Sequence, residues 1–226
     1  MNLLILGRGK TGFLVAQFAG DRHHHIRVLG ANENRDARAL TAGLLQAFEV
    51  VIDFTSPNSV LANIHACQRA KKNMVVGTTG WHEHLDSVRS AVNQAGTGFL
   101  YGANFSIGVN LFFETVRGAA QAARHGYTGQ IFERHHHHKK DAPSGTALVM
   151  QKIVKETSEA ELEITSFREG EVVGMHELIF DCPNDRIYLC HDAKSRQGYA
   201  EGAVLAAEWL SGKRGFFEFK DIWREL

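Results

Sequence analysis

Near its N-terminus the chain reads Leu3-Leu4-Ile5-Leu6-Gly7-Arg8-Gly9-Lys10-Thr11-Gly12. The four apolar residues predict a buried strand, and the apolar spacing of residues 11–19 predicts a helix directly after the glycines. In a GxGxxG turn between a strand and a helix, the glycines let the backbone approach a pyrophosphate, which the helix N-terminus attracts. This context predicts a dinucleotide site, with a purely structural glycine turn as the alternative. The GxxxxGK[ST] spacing of a phosphate-hydrolysing loop is absent.

Short β-rich runs alternate with helical stretches through the rest of the first half. Strands are predicted at residues 26–30, 50–54, 74–77 and 98–101. Ser56-Pro57 marks a helix start, because serine suits the N-cap and proline the first helical position. Continuous apolar strands that alternate with helices indicate a parallel sheet covered on both faces. We therefore predict an α/β fold with a parallel sheet of Rossmann type.

The pattern changes after about residue 104. Helices are predicted at residues 111–123, 144–155 and 202–210, and a strand at 131–136. Three runs without an intervening helix, 163–168, 172–181 and 186–191, are interpreted as antiparallel strands. The sequence therefore predicts a second, smaller α+β domain with a mixed or antiparallel sheet.

Composition excludes several classes of protein. Hydrophobic residues make up 44% of the chain and charged residues 22%, with a formal net charge of zero, whereas nucleic-acid-binding proteins usually carry a basic excess. No apolar run approaches the roughly 20 residues of a membrane span. The first apolar run has no basic region before it, unlike a signal peptide. Three cysteines without CxxC or zinc spacing predict a reduced, cytoplasmic protein. The zero net charge and the lack of a long apolar run predict neither nucleic-acid nor membrane partners.

Polar residues at the predicted strand ends extend the nucleotide site. Glu33 lies where an acid that binds ribose is expected, whereas Arg35 would meet the 2′-phosphate of NADPH, so NADH and NADPH both stay open. The alternative is that both are solvated loop residues. Ligands gather at the carboxyl ends of parallel strands. The predicted cofactor residues are Gly7, Arg8, Gly9, Lys10, Thr11, Gly12, Glu33, Phe54, Thr55, Gly77, Thr78, Thr79, Ala103, Asn104 and Phe105.

A second stretch concentrates histidine, lysine and a predicted helix N-terminus. It reads Glu133-Arg134-His135-His136-His137-His138-Lys139-Lys140-Asp141-Ala142-Pro143-Ser144-Gly145-Thr146-Ala147. A carboxylate substrate suits it, because the lysine supplies positive charge and the Ser-Gly-Thr helix start offers hydroxyls and backbone N–H groups. A histidine can donate a proton near neutral pH. The stretch therefore predicts an acid–base site for an anionic substrate.

Three other interpretations of the histidine run compete with this one. An affinity tag would be terminal, whereas this run is internal. A metal site is disfavoured, because alternation along a strand would separate His135 and His137 from His136 and His138, and no distant ligand set is evident. A merely solvated loop is disfavoured by the helix start that follows. We therefore predict no metal ligands.

The run from Glu133 to Ala147 resembles the signature of the dihydrodipicolinate reductase (4-hydroxy-tetrahydrodipicolinate reductase) family. Similar blocks follow in order along most of the chain, at residues 53–55, 77–80, 103–110, 166–170, 173–176, 191–193, 195–196 and 199–200. The chain departs from the family in a shorter glycine loop, in a shorter total length and at His137, where an arginine is usual.

The resemblance implies a fold, a reaction and residue roles. It implies a nucleotide domain over residues 1–105, completed by a helix at about 195–226, and a substrate and oligomerisation domain over 106–194, in a homotetramer. The implied reaction is NADH- or NADPH-dependent reduction of 4-hydroxy-tetrahydrodipicolinate/dihydrodipicolinate to tetrahydrodipicolinate in lysine and diaminopimelate biosynthesis. His135 becomes the proton donor and Lys139 the second catalytic group. The dicarboxylate substrate is held by His136, Ser144, Gly145, Thr146 and Arg196.

Two other functions stay open on the residues alone. An amino-acid or sugar dehydrogenase could share the two-domain plan, although the Ser-Gly-Thr site suits a carboxylate better than a neutral sugar. A nucleotide-sensing module with a Rossmann half would bind NAD(P)H without oxidising it.

Overall fold

Strands and helices alternate from the N-terminus. The computed structural model describes residues 1–226. Its first elements are β1 (Asn2–Leu6), α1 (Lys10–Asp21), β2 (His25–Leu29), α2 (Ala42–Gln46), β3 (Val50–Asp53), α3 (Pro57–Arg69), β4 (Asn73–Val76), α4 (Leu85–Ala95) and β5 (Gly98–Tyr101). The predicted start of α3 is confirmed, with Ser56 at the N-cap and Pro57 in the first turn.

The later elements begin with a long helix, and the last of them, from Gln197 onward, belong to the same structural unit as the first half of the chain. They are α5 (Ile107–Ala119), β6 (Thr128–His135), α6 (Gly145–Ser158), β7 (Ile164–Arg168), β8 (Met175–Asp181), β9 (Arg186–Asp192), α7 (Gln197–Leu210), β10 (Gly215–Glu218) and α8 (Phe219–Ile222). No helix in the structure combines the length and apolar character that a membrane span requires.

The first of two structural units comprises Met1–Ile107 and Gln197–Leu226. Its six strands are all parallel, in the order β10-β5-β4-β3-β1-β2. Successive side chains of β1 enter two cores, Leu3 and Ile5 on one face and Leu4 and Leu6 on the other. This confirms the predicted α/β class. β10 was not predicted; its half-buried residues pair with β5.

The second unit, Gly108–Arg196, has a four-stranded mixed sheet in the order β7-β6-β8-β9. The expectation that its last three strands are all antiparallel is wrong for β7, which pairs parallel with β6. β7 reaches this edge of the sheet because α6 lies between it and β6 in the chain, which gives the connection the length that a parallel pair needs. Buried residues of α6, including Met150 and Val154, share one core with Ile131 and Leu178 of the sheet.

Candidate active site

Close backbone contacts require two glycines of the turn after β1. Gly7 has a φ of +109°, and a Cβ there would lie 2.2 Å from the carbonyl oxygen of Phe54. A Cβ on Gly12 would lie 2.2 Å from the carbonyl oxygen of Gly7. Gly9, the N-cap of α1, has open space around its Cβ position. The backbone N–H groups of the first turn of α1, which have no partner within the helix, therefore lie next to open space at Gly9.

A cavity of about 310 Å³ opens at this helix start and at the carboxyl ends of β3 and β4. It is lined by Gly9, Lys10, Thr11, Gly12, Phe54, Thr55, Pro57, Gly77, Thr78 and Thr79. All of these except Pro57 are among the predicted cofactor residues. Helix amides and a lysine, with no acidic side chain in the lining, fit the pyrophosphate of a nucleotide.

Glu33 follows β2 and lies beside the glycine turn. Its carboxylate accepts the N–H of Gly30 at 2.8 Å and pairs with the guanidinium of Arg8 at 3.0 Å. Both paired side chains are exposed enough to meet a ligand. Arg35 is more exposed, and its Nε lies 4.0 Å from Asp36. The acid that was predicted for the ribose is thus held against the turn, whereas Arg35 points into solvent.

The segment after β5 does not line this cavity. Asn104 Oδ1 accepts the N–H of Ser106 at 2.8 Å, which shapes the segment after Ala103. The Phe105 ring is 2% exposed and packs on Phe219, with ring centroids 4.7 Å apart. A buried core ring cannot contact a nucleotide, so any contact at this position falls to the backbone.

In the second unit, β6 ends in a buried acid–histidine pair. Glu133 and His135 are two residues apart and so share one face of the strand. His135 Nδ1 makes a short hydrogen bond with Glu133 Oε2; Glu133 is fully buried and His135 is 7% exposed. Burial lowers the pKa of His135, while the Glu133 carboxylate acts in the opposite direction by favouring the charged ring.

Arg168, the last residue of β7, holds the other oxygen of the same carboxylate. Its Nη2 lies 2.8 Å from Glu133 Oε1 and 2.6 Å from the carbonyl oxygen of Asp141. Burial by itself would raise the pKa of Glu133, but the hydrogen bonds from Arg168, Ser166 and His135 outweigh burial and lower that pKa. Glu133 is therefore a carboxylate, and His135 Nδ1 carries the hydrogen that it accepts.

His176 of β8 lies edge-on to His135, with ring centroids 5.1 Å apart. Its Nε2 is 2.9 Å from the hydroxyl oxygen of Ser144, which also accepts the N–H of Ala147 at 3.2 Å as the N-cap of α6. Burial lowers the pKa of His176 to about 3, so this ring is neutral. Because the Ser144 hydroxyl is used inside the protein, the helix start offers a ligand the exposed Gly145 and the partly exposed Thr146.

The other predicted site residues with side-chain partners are Lys139, which pairs with Asp141, and His136, which pairs with Arg196. Lys139 Nζ binds both carboxylate oxygens of Asp141, at 2.9 and 2.8 Å, and this pairing lowers the pKa of Asp141. Arg196 Nη2 lies 3.2 Å from His136 Nε2. The tertiary structure thus brings Arg196 to the histidine run from sixty residues further along the chain.

The histidine run does not alternate as a strand would. β6 ends at His135, and the next three histidines lie in the turn that follows, so the expected separation of faces does not apply to them. His137 Nε2 accepts the N–H of Gly170 at 2.9 Å, which ties this turn to the end of β7. His138 is exposed. The histidine that departs from the family pattern therefore has a structural role.

Glu133, His135 and His176 also form a compact group of metal-ligating types, with ligand atoms within 4.8 Å of one another. The prediction of no metal rested on strand alternation, which would separate the histidines of the run, and on the lack of a distant ligand set. The sheet supplies one distant ligand in His176. Arg168 already neutralises Glu133, and the bonded oxygen and nitrogen of the Glu133–His135 pair face each other. This arrangement favours proton chemistry over cation binding.

Sequence reasoning missed three residues that shape this site: Glu133, Arg168 and His176. The i, i+2 spacing of Glu133 and His135 on a predicted strand was a usable signal. Arg168 and His176 come from other strands, so only their presence in blocks similar to the family pointed to them.

Comparisons with known proteins agree over the whole chain. The family profile "Dihydrodipicolinate reductase, N-terminus" matches residues 1–105, and "Dihydrodipicolinate reductase, C-terminus" matches residues 108–223. The 4-hydroxy-tetrahydrodipicolinate reductase of Christiangramia forsetii is 36% identical over 100% of this chain and 99% of its own. That of Laribacter hongkongensis is 38% identical over 83% of this chain and 77% of its own.

A solved structure shares the fold. The dipicolinate-bound dihydrodipicolinate reductase of Paenisporosarcina sp. TG-14 superposes with a TM-score of 0.80 at 21% identity, covering 98% of this chain and 99% of its own. With both halves matched by the family profiles, the chain belongs to the dihydrodipicolinate reductase family of pyridine-nucleotide-dependent oxidoreductases.

Proposed function

We propose that the protein reduces 4-hydroxy-tetrahydrodipicolinate/dihydrodipicolinate to tetrahydrodipicolinate with NADH or NADPH, a step of lysine and diaminopimelate biosynthesis. One observation carries the proposal. The buried Glu133–His135 pair adjoins a lysine-bearing turn and an accessible helix start, in a chain whose two halves both match this reductase family.

The first unit supplies the nucleotide site of this proposal. The amides at the start of α1 and the side chain of Lys10 bind the pyrophosphate, and Glu33 accepts hydrogen bonds from the ribose hydroxyls. The reduced nicotinamide supplies a hydride when it is bound. We propose that both nucleotides serve, because Glu33 suits a free ribose while Arg8 and Arg35 supply positive charge for a 2′-phosphate.

The second unit holds the dicarboxylate. The amides of Gly145 and Thr146 begin α6, a helix of 14 residues whose positive end attracts an anion. Lys139 adds a cation, which moves from Asp141 to the substrate carboxylate, and His136 with Arg196 provides further donors. These contacts orient the substrate, and orientation lowers the barrier of the chemical step.

His135 provides the proton. Its Nδ1–H donates to the ionised Glu133, so the transferred proton belongs to Nε2, the other ring nitrogen. Nε2 lies beside Gly174, where a Cβ would come within 3.0 Å. As negative charge develops on the reduced ring system, His135 gives up the Nε2 proton, and the nearby carboxylate stabilises the imidazolium beforehand.

A coupled assay tests the function. The purified protein is mixed with the synthase that makes its substrate, and the absorbance of NADH or NADPH is followed in parallel. We expect loss of signal with both nucleotides. No loss with either contradicts the reductase activity and favours a nucleotide-sensing module. Loss with only one contradicts the dual use, and activity only on amino acids or sugars indicates another dehydrogenase.

A further inference from the structure

Beneath the nucleotide cavity lies a carboxylate that the proposed reaction does not use. Asp53, the last residue of β3, is 0% exposed. Its Oδ1 accepts the Thr55 N–H at 2.9 Å, the Thr55 hydroxyl at 2.7 Å and the Thr78 hydroxyl at 2.7 Å. Its Oδ2 accepts the Asn63 amide at 2.8 Å. Burial raises the pKa of Asp53, and these bonds act in the opposite direction by stabilising the charge.

The carboxylate fixes the direction of two hydroxyl groups. A carboxylate can only accept, so the hydroxyl hydrogens of Thr55 and Thr78 both point to Asp53. Thr78 Oγ1 also accepts the Thr55 N–H at 2.8 Å. Both threonines line the cavity. Their oxygen atoms can therefore offer a ligand lone pairs, but no hydrogen.

We propose that Asp53 is a positioning residue that turns this wall of the cavity into a hydrogen-bond acceptor and thereby selects the carboxamide N–H group of a nicotinamide nucleotide. The proposal rests on the proposed nucleotide site. Glu33 follows β2 and the glycine turn follows β1, so a nucleotide with its adenosine ribose at Glu33 extends toward β3 and β4, where Thr55 and Thr78 lie.

A row of buried amides provides a matched control. Asn63 Oδ1 accepts from Asn34 Nδ2 at 2.9 Å, and Asn34 Oδ1 is buried without a hydrogen-bond partner. If residue 53 is an amide, Asn63 and Asn34 can each turn over, so that residue 53 donates to Asn63 Oδ1 and Asn63 donates to Asn34 Oδ1. The Asn34 NH₂ group then takes the buried position in which its oxygen had no partner. Asp53→Asn therefore keeps the oxygen that faces both threonines, whereas Asp53→Leu removes it.

The experiment measures nucleotide affinity without substrate. Fluorescence titration compares NADH with its reduced 3-acetylpyridine analogue, in which a methyl group replaces the amide NH₂. We expect the protein to bind NADH about tenfold more tightly, the factor that corresponds to one neutral hydrogen bond. Asp53→Asn keeps that ratio. Asp53→Leu brings it close to one, with circular dichroism and thermal unfolding confirming the fold.

Equal affinities in the unmodified protein, or an unchanged ratio in Asp53→Leu, overturn the proposal. Should Asp53→Leu not fold, Thr55→Val and Thr55→Ser replace it. The valine must lose the preference and the serine keep it, and a preference retained in Thr55→Val overturns the proposal. If the affinity ratios are as expected but the coupled assay shows no turnover, the role of Asp53 is supported and only the proposed reaction is contradicted.

Discussion

At the scale of single residues, the site depends on which nitrogen of His135 is free. Glu133 is ionised and bonded to Nδ1, so Nε2 is left for the substrate. A neighbouring carboxylate that holds a histidine in one tautomer also stabilises the charged ring. Two substitutions distinguish the role of His135 as proton donor from the electrostatic role of Glu133.

His135→Ala removes the proposed proton donor. Turnover in the coupled assay should fall by about 10²–10⁴, the usual contribution of a general acid, while the fluorescence titration shows unchanged NADH affinity. His138→Ala is the matched control, because His138 belongs to the same run but is exposed. Equal losses in both variants would show that the run as a whole, rather than one placed histidine, supports activity.

Glu133→Gln removes the charge that raises the pKa of His135 and should therefore lower that pKa further. Since protonated His135 is the active form, the alkaline limb of the kcat/KM profile should move to lower pH. At neutral pH the rate should fall about ten- to a hundredfold, the range for a hydrogen bond to a charged group. Glu169→Gln, at an exposed partner of Arg134, is the control. A slower enzyme with an unshifted limb would contradict the electrostatic role.

At the scale of elements, α1 depends on one glycine for its approach to β1. A Cβ at Gly12 would meet the Gly7 carbonyl oxygen, and neither backbone can move without disturbing the turn. Gly12→Ala should therefore weaken NADH binding more than tenfold. Gly20→Ala, in the same helix with open space around its Cβ, should bind normally and gain about 0.5–1 kcal/mol of stability. Normal binding by Gly12→Ala would contradict the tight turn.

Arg168, at the end of β7, forms a buried ion pair with Glu133 of the neighbouring strand β6. Arg168→Met leaves a fully buried carboxylate without its cation and frees the turn at Asp141. We expect a loss of about 3 kcal/mol in the free energy of unfolding by urea, the low end for breaking a buried ion pair. Arg186→Met breaks an exposed pair with Asp181 and should change nothing measurable. Similar losses in both variants would argue against a special role for Arg168.

At the scale of the whole molecule, buried histidines make the second unit sensitive to acid. Burial lowers the pKa values of His176 and His191, both in that unit. As pH falls below about 6.5, the unfolded chain takes up protons that the folded unit refuses. The free energy of unfolding is therefore at its full value above about pH 6.5 and declines as the pH falls below it. For His176 the decline continues to about pH 3, the pKa of the folded state.

His176→Gln tests this dependence. Between pH 6.5 and 5, one such histidine costs about 2 kcal/mol of unfolding free energy, so the variant should lose correspondingly less over that interval. Urea unfolding at both pH values measures the difference. His125→Gln, at an exposed histidine of the same unit, should keep the original dependence. If the variant and the unmodified protein lose the same unfolding free energy between the two pH values, His176 is not the cause of the acid sensitivity.

The sequence by itself determined the elements whose signals lie in neighbouring residues. The apolar run at residues 3–6, the glycines after it and the Ser56-Pro57 helix start depend on contacts within a few positions, so local patterns were enough. The same holds for the Ser144 helix start and for the strand that ends at His135. Strand geometry places Glu133 on the same face as His135, although Glu133 was not among the predicted site residues.

Only the tertiary structure decided which distant segments meet. The parallel pairing of β7, the addition of β10 and the approach of Arg168 and His176 to His135 depend on strand order and register. Strand order and register are set by how whole faces are buried, so no single segment encodes them. The tertiary structure also decides the direction of the hydroxyl groups around Asp53. A buried carboxylate needs hydrogen-bond donors, and these come from residues that follow two different strands.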